Sequence, residues 1–441
     1  MLAEFVAPSK IPARVGWLLA LAAMTRPEGP LIAAVLGVAW IVHVVTAWRD
    51  RRANVGNALI AAAWFIAVWG PWFLWRWRYY GYPFPNTYYV KASGQWTNPD
   101  LASQMVDHGV YYVWIWLKQT RLVYVAPIAV LGMVAIRPRT PRFVLGLACG
   151  LLATVYVPYT ISVGGDFMGL HRFIMPLFVV AAIGLTLGLS WIAAQLPHDR
   201  LTIPLWVAFG VLALVFAANA VDLLATWQPI VRHPIAFAIA AAAAIGCAAA
   251  VRAPRAVGPF AGAVVVAVFA TTQLDLTRRA LDPRNLANDH GVIDTPAFLM
   301  VFTEDRARIG RAMASCFRPD DVSIVGGAGA QPYFGRMRGI DVYGLVSDRI
   351  AHGEPRRNAR AGHTKWGSDS LLASYDPTFV FSCYEIHRTA AQPQLQHCAG
   401  FWKARGFELV TMKIDGLREK GEYYTFLAKK ARNFQCPGRV R

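Results

Sequence analysis

Charged residues are scarce in this sequence. Only 16% of its 441 residues are Asp, Glu, Lys or Arg, whereas 56% are hydrophobic and the mean hydropathy is +0.36. Because soluble domains carry about 25% charged residues, the chain is too apolar to be soluble throughout. Its acids are also unevenly distributed, with 8 in residues 1–272 and 18 in residues 273–441. The composition therefore predicts two regions that lie in two different solvents.

Several motifs of common function are missing from the sequence. It contains no CxxC and no HExxH pattern, so no metal site is predicted. The glycines of GGAGAQP (326–332) fit neither the dinucleotide-binding nor the phosphate-loop pattern. The net charge of +18 comes without a basic run interleaved with aromatic residues, and nucleic acid is therefore not an expected partner.

Long apolar runs dominate residues 1–272, and most are near the length of about 20 residues that a helix needs to cross a bilayer. Lipid offers backbone amides no hydrogen-bonding partner, so these runs predict helices and not strands. The first and the fourth are short. The nine predicted spans are 11–24, 28–48, 57–75, 121–136, 142–161, 172–194, 201–222, 234–251 and 257–272.

Basic residues in the short connections predict the orientation of the spans. SKIPAR (9–14), WRDRR (48–52), RPRTPR (137–142) and VRAPR (251–255) fall on one side, which the positive-inside rule makes cytoplasmic. The loop at 76–120, the loop around Asp166, the loop at 227–234 and the whole of residues 273–441 then lie outside the cytoplasm. The predicted localisation is a multi-pass protein of a plasma membrane.

The charged region 273–441 reads as a small extracytoplasmic α/β domain. A buried strand at 322–325, a glycine-rich turn, a short helix and a second strand near Ile340 follow one another, and further strands are predicted in 375–386 and 422–430. Its four cysteines allow two disulfides in any of three pairings; they are Cys316, Cys383, Cys398 and Cys436. Cys149 and Cys247 lie in predicted spans as small apolar residues.

The stretch TRPEG (25–29) separates the first two apolar runs. Thr25 and Glu28 have the spacing of a capping box, with Thr25 at the N-cap and Glu28 reaching back to it. The Arg26 guanidinium is at the same time suited to an anionic headgroup or phosphate.

Two further stretches have ordinary and functional interpretations. PFPNTYYVK (83–91) places Asn86, Thr87 and Lys91 beside aromatic rings, a mixture that suits a sugar or a lipid phosphate, although an aromatic belt explains the tyrosines alone. Residues 107–122 resemble an interfacial amphipathic helix.

SVGGDFMGLHRF (162–173) contains one of the few acids in the apolar region. Asp166 either caps the next helix, with His171 and Arg172 as interfacial residues, or is a functional carboxylate retained beside an arginine near the bilayer. The local sequence leaves both alternatives open.

Four of these stretches occur together in a known superfamily. TRPEG, YYGYPFPNTYYVKA (79–92), VGGDFMGLHRFIMP (163–176) and IDVYGLVSDRIAH (340–352) are similar, in the same order, to segments of GT-C fold membrane glycosyltransferases. The chain most resembles mycobacterial terminal β-(1→2)-arabinofuranosyltransferases and similar proteins. The resemblance implies a GT-C-like α-helical membrane domain in residues 1–272, followed by an extracytoplasmic domain in residues 273–441.

The resemblance also implies a function and a set of binding residues. Such enzymes move a sugar, here arabinofuranose-like, from a polyprenyl-phosphate donor in the bilayer to a cell-envelope glycan outside a bacterial cell. Arg26, Lys91 and Arg172 are the expected phosphate partners, and Asn86, Tyr88 and Asp166 the expected sugar partners. Two further expected substrate-binding residues are Glu28 and His171. No cofactor is evident, but a divalent metal is compatible with the chemistry.

The chain departs from the superfamily at its N-terminus. The catalytic base of GT-C enzymes lies on a first exported loop, and here only Glu4 precedes TRPEG, so the expected base lies upstream of this sequence and the N-terminal part looks absent. The alternative function is a non-catalytic, membrane-anchored protein that binds or assembles envelope glycan. A transporter is less favoured, since no repeat pair is visible.

Overall fold

The computed structural model describes residues 12–26, 28–46, 51–93, 98–120, 122–134, 141–169, 171–195, 281–282, 294–356, 359 and 361–440. The chain divides into two compact units, and each is described by itself. The first contains the described parts of residues 1–83, 114–159 and 174–277. The second contains those of residues 84–113, 160–173 and 278–441.

Residues 12–195 are mostly helical. The helices are α1 (Ala13–Thr25), α2 (Gly29–Thr46), α3 (Arg51–Tyr80), α4 (Pro99–Gln119), α5 (Leu122–Val134), α6 (Pro141–Ser162) and α7 (Met175–Gln195). Each of the first six predicted spans coincides with a helix, and the predicted amphipathic segment at 107–122 lies mostly in α4. The prediction of helices is therefore confirmed for these six stretches.

Three helical stretches of the described residues are long and apolar enough to cross a membrane: Val55–Tyr80, Phe143–Ser162 and Arg172–Leu189. The helices α1 and α5 have 13 residues each. At 1.5 Å per residue they are about 20 Å long, which is less than the ~30 Å hydrocarbon core. The predicted spans at 201–222, 234–251 and 257–272 lie outside the described residues.

Glycines allow α5 and α7 to approach closely. A Cβ atom on Gly132 would lie 2.1 Å from the Gly184 carbonyl oxygen, and one on Gly188 would lie 2.1 Å from the Ile128 carbonyl oxygen. Gly184 and Gly188 have the small-xxx-small spacing that lets membrane helices bring their backbones together. Side chains at these positions would separate the two helices.

The second unit contains a mixed sheet. Its elements are α8 (Pro296–Met313), β1 (Val322–Val325), α9 (Ala330–Gly335), β2 (Arg338–Asp341), α10 (Asp348–Ala351), α11 (Asp369–Ala373), β3 (Phe379–His387), α12 (Gln396–Lys403), β4 (Phe407–Lys413) and β5 (Tyr423–Lys429). The strand order is β2-β1-β3-β5-β4. The strand β1 pairs in parallel with β2 and β3, whereas β5 pairs antiparallel with β3 and β4.

Both faces of this sheet are buried, which explains its apolar strands. Phe379, Phe381 and Phe426 pack on one face, in a cluster that includes Ile309 of α8. Alternate residues of the same strands pack on the other face, in a cluster that includes Trp402 of α12. The predicted α/β domain and its four predicted strands are confirmed, and β4 is an additional strand that the sequence analysis did not predict.

The structure selects one of the three possible disulfide pairings. Cys316 is bonded to Cys436, and Cys383 is bonded to Cys398. The first bond joins the end of α8 to the C-terminal segment, and the second joins β3 to α12. Cys149 is a buried free thiol within α6, as predicted for a small apolar residue, and Cys247 lies outside the described residues.

Candidate functional site

The second unit brings together three segments that are far apart in the sequence. Residues 84–113 and 160–173 belong to the same compact unit as the C-terminal α/β domain. Six of the eight predicted binding residues lie in that unit: Asn86, Tyr88, Lys91, Asp166, His171 and Arg172. Arg26 and Glu28 belong to the other unit.

Two glycines end α6 and direct the chain into the site. Gly164 N–H donates to the Ile161 carbonyl (3.0 Å) and Gly165 N–H to the Thr160 carbonyl (2.9 Å), the pattern of a Schellman C-cap. Both glycines have positive φ, 79° and 71°. A Cβ atom on Gly165 would lie only 2.4 Å from Cγ of Tyr112. The turn therefore requires glycine for its backbone and for its packing.

Asp166 follows this turn and pairs with Arg172. Arg172 Nε donates to Asp166 Oδ2 at 2.6 Å, and the carboxylate is 3% exposed while the arginine side chain is 52% exposed. The carboxylate thus engages the side chain of Arg172, the residue at which the next helical segment begins. Both interpretations of Asp166, as a cap and as a functional carboxylate, stay predictions.

His171 is buried and packs against α4. Its backbone has a positive φ of 52°, and its ring meets that of Tyr112 edge to face, with the centroids 5.7 Å apart. Only 4% of His171 is exposed, so its side chain helps to pack the loop against α4. Its predicted role in substrate binding stays a prediction.

An open cleft lies beside Arg172. Phe167 and Gly169 pair with Asp294 through backbone hydrogen bonds of 2.6 and 2.8 Å, which fixes the loop against the start of α8. The cleft has a volume of about 490 Å³. Its lining is mostly apolar and consists of Met168, Gly169, Arg172, Pro296, Leu299, Met300, Thr303 and Glu304.

The segment after Pro85 contacts α10. Asn86–Tyr88 forms a helical turn that continues as a π-helix, Tyr89–Ser93. Asn86 Nδ2 donates to Asp348 Oδ1 at 2.8 Å. The rings of Tyr89 and His352 lie 4.1 Å apart. Asn86, predicted to bind sugar directly, is thus bonded to a carboxylate 262 residues away.

The loop at 361–367 joins the two predicted site segments. The Thr364 hydroxyl donates to the Val90 carbonyl. Gly362 has a positive φ of 76°. A Cβ atom added to it would lie 2.9 Å from Cδ1 of the Phe167 ring and 3.7 Å from Cε of Lys91. The His363 ring packs against the Phe167 ring, with 4.6 Å between the centroids. The sequence GHTKWGSD (362–369) predicts a polar loop here, but its residues give no signal of a role in the site.

Burial shifts the pKa of three groups around this loop. Burial raises the pKa of Asp341. The backbone N–H groups of Tyr343 (3.0 Å) and Leu345 (2.7 Å) donate to its carboxylate and lower the pKa, but this effect is smaller. Burial lowers the pKa of Lys365, whose ammonium donates to the Gly353 carbonyl. Burial also lowers the pKa of His352, which favours the neutral imidazole. The backbone contacts of Asp341 give it a structural role in the turn after β2.

The TRPEG stretch adopts another structure than the predicted capping box. The helix α1 ends at Thr25, whose hydroxyl donates back to the Ala22 carbonyl at 2.9 Å. Glu28 instead pairs with Arg26, with Nε–Oε2 of 3.2 Å and Nη2–Oε1 of 3.3 Å. The prediction was wrong because Thr25 belongs to the preceding helix and the arginine competes for the Glu28 carboxylate.

No cluster of three or more His, Cys, Asp or Glu side chains in the described residues could hold a metal ion. The possible use of a divalent metal stays a prediction.

Comparison with known proteins gives one match. Residues 298–427, which contain β1 to β4 and most of β5 and α8, match a protein-family model described as "Domain of unknown function (DUF8728)". No curated protein and no solved structure matches the chain. The C-terminal domain is thus similar to this family, whose description assigns no activity.

Proposed function

We propose that the protein is a membrane glycosyltransferase of the GT-C type, with about nine spans. It moves a sugar, arabinofuranose-like, from a polyprenyl-phosphate donor to a cell-envelope glycan on the outer side of the plasma membrane. The polyprenyl-phosphate sugar, the glycan and the bilayer are its partners in this proposal.

The assembly of the second unit supports the proposal. Topology predicts that residues 76–120, the Asp166 loop and residues 273–441 share one side of the membrane, and the second unit is built from parts of these three stretches. The main support for the proposal is that the loop at 361–367 contacts both Val90 and Phe167. Six of the eight residues predicted to bind substrate therefore belong to one compact unit, and Arg26 and Glu28 do not.

The chemistry around Arg172 suits the donor. Its half-exposed guanidinium can donate hydrogen bonds to a phosphate while still bonded to the buried Asp166 carboxylate. The adjoining cleft offers apolar side chains, among them Leu299 and Met300, for the first isoprene units of a lipid. Glu304, at the same cleft, bonds to Arg418, which offsets its charge. Asp166 thus positions Arg172 and remains a candidate partner for sugar hydroxyls.

The test is sugar transfer in reconstituted membranes. Protein in proteoliposomes, as this chain and with any in-frame residues encoded before Met1, is given radiolabelled polyprenyl-phosphate arabinofuranose and an envelope-glycan oligosaccharide. Asp166→Asn keeps the side-chain shape but removes its charge, and we expect turnover to fall at least about tenfold because Arg172 loses its ionic partner. Asp376→Asn, at an exposed carboxylate paired with Lys429, is the control.

Unchanged turnover in Asp166→Asn would contradict the role assigned to this residue. Oligosaccharide binding without any transfer by the wild-type protein would favour the alternative of a non-catalytic glycan-binding protein.

A further inference from the structure

Asp348 is an exposed carboxylate that is held in a fixed position. Its only neighbour in α10 of opposite charge, Arg349, lies over the Tyr375 ring at 5.5 Å. Oδ1 instead accepts a hydrogen bond of 2.8 Å from Asn86 Nδ2. A carboxylate has acceptor capacity for about four hydrogen bonds, so one bond from Asn86 orients Asp348 and leaves further acceptor positions for a ligand.

Aromatic rings lie on both segments that the Asn86–Asp348 hydrogen bond joins. Tyr89, three residues after Asn86, packs against His352, four residues after Asp348, with 4.1 Å between the centroids. Tyr88 meets Tyr89 edge to face at 5.4 Å and Phe84 at 4.5 Å. The surface thus combines an oriented hydrogen-bond acceptor with flat apolar faces.

The charges around Asp348 select the kind of ligand. A phosphate would be repelled by the exposed Asp348 carboxylate. Two cations of nearby segments are engaged by other groups, since Arg349 lies over the Tyr375 ring and Lys365 donates to the Gly353 carbonyl. Sugar hydroxyls donate strong hydrogen bonds to a carboxylate, and the apolar face of a sugar ring can pack on tyrosine. The combination therefore fits a neutral, hydroxyl-rich glycan.

We propose that Asp348, oriented by Asn86 and flanked by the Tyr89–His352 ring contact, binds hydroxyl groups of a neutral glycan, the acceptor of the proposed transfer. Asp348 contacts the glycan, and Asn86 is a positioning residue. This inference rests on the proposed function for the identity of the acceptor. It separates an acceptor surface at α10 from the donor surface at Arg172.

The test measures binding and not transfer, so that it can fail independently of the proposed function. The full chain in lipid nanodiscs is titrated with a linear arabinofuranose tetrasaccharide, and Kd is obtained by ligand-observed NMR. We expect Asp348→Asn to raise Kd about tenfold, which corresponds to about 1.4 kcal/mol. Tyr89→Leu should raise it by a similar factor, and Asn86→Ala by a smaller factor because the carboxylate remains.

Asp376→Asn is the matched control, since Asp376 is also an exposed aspartate with one side-chain partner, Lys429 at 2.7 Å. It should leave Kd unchanged. Melting temperatures of all variants show whether they fold, and a variant of Asp348 that melts like the wild type but binds within twofold of it would overturn the inference. Absence of tetrasaccharide binding to the folded wild-type protein would overturn it as well. Loss of transfer with intact tetrasaccharide binding would instead count against the proposed function alone.

Discussion

The position of Asp166 is determined by the two residues before it. Gly164 and Gly165 both adopt backbone conformations that side chains disfavour, and each lies against α4, near Met105 and Tyr112 respectively. The loop can therefore pack closely against α4 within the second unit while its Asp166 carboxylate pairs with Arg172. Substitution of either glycine should therefore displace the Asp166 loop from α4 without changing a charged residue.

Gly165→Ala tests this packing. A left-handed conformation costs a non-glycine residue about 1 kcal/mol, and the overlap with Tyr112 adds about 1–3 kcal/mol, so we expect a loss of about 2–4 kcal/mol of stability. The measurement is the melting temperature of the purified protein. Gly327→Ala is the control, because Gly327 is exposed, has no left-handed φ and has open space at its Cβ position. Equal melting of the two variants would show that the turn tolerates a side chain.

At individual residues, sequence predicted what depends on near neighbours. The sequence predicted that Asp166 lies near an arginine, because Arg172 is only six residues away, and it predicted a turn at Gly164–Gly165. The bond between Asn86 and Asp348 could not be predicted, because its partners are 262 residues apart and only the tertiary fold joins them. Thr25 was misassigned since its sequence fits a helix start, whereas its hydroxyl bonds to the helix that precedes it.

Close backbone contact is the feature that determines how α5 packs on α7. Gly184 and Gly188 lie one turn apart and face Ala129 and Ile128 on α5. Lipid tails are as apolar as leucine, so helices in a bilayer gain little from burying large side chains and more from close packing. The two glycines therefore contribute through their lack of a side chain.

Gly188→Leu should separate these helices. The added side chain would begin 2.1 Å from the Ile128 carbonyl oxygen, and overpacking of this kind costs about 1–3 kcal/mol. Gly150→Leu in α6 is the matched control, because no atom of the described chain lies within 4 Å of its Cβ position. Thermal unfolding in detergent compares the two, and a Gly188→Leu protein as stable as Gly150→Leu would contradict the proposed close contact.

Elements were predicted well where hydrophobic pattern and length agree. The strand β1 was placed at its observed residues, because four apolar or small residues stand between polar turns. The strand β4, FELVTMK, escaped prediction because Glu408 and Thr411 interrupt its apolar pattern. It becomes a strand through pairing with β5 over seven residues, Phe407 to Lys413. Pairing of this kind is a tertiary effect that the local sequence does not contain.

At the scale of the whole molecule, the second unit includes two segments from the apolar region of the sequence as well as the C-terminal domain. Residues 84–113 and 160–173 come from between predicted spans, and both fold with the C-terminal domain. A chain can build one such unit only if these segments and the domain reach the same side of the membrane. The predicted topology has this property, since it places the basic connections on the opposite side.

Labelling of introduced cysteines tests the shared side directly. Thr87→Cys and Ser370→Cys place thiols at exposed positions of two segments of the second unit, and Thr140→Cys places one in the basic connection RPRTPR. We expect a membrane-impermeant maleimide added to intact cells to label the first two, and to label the third only after permeabilisation. The disulfide-bonded cysteines do not react, and the unmodified protein measures the background from the two other cysteines, Cys149 and Cys247. Because Thr87 and Ser370 belong to one folded body, they must behave alike whatever the orientation. If both react only in permeabilised cells, the donor and acceptor surfaces face the cytoplasm and transfer to an envelope glycan is excluded.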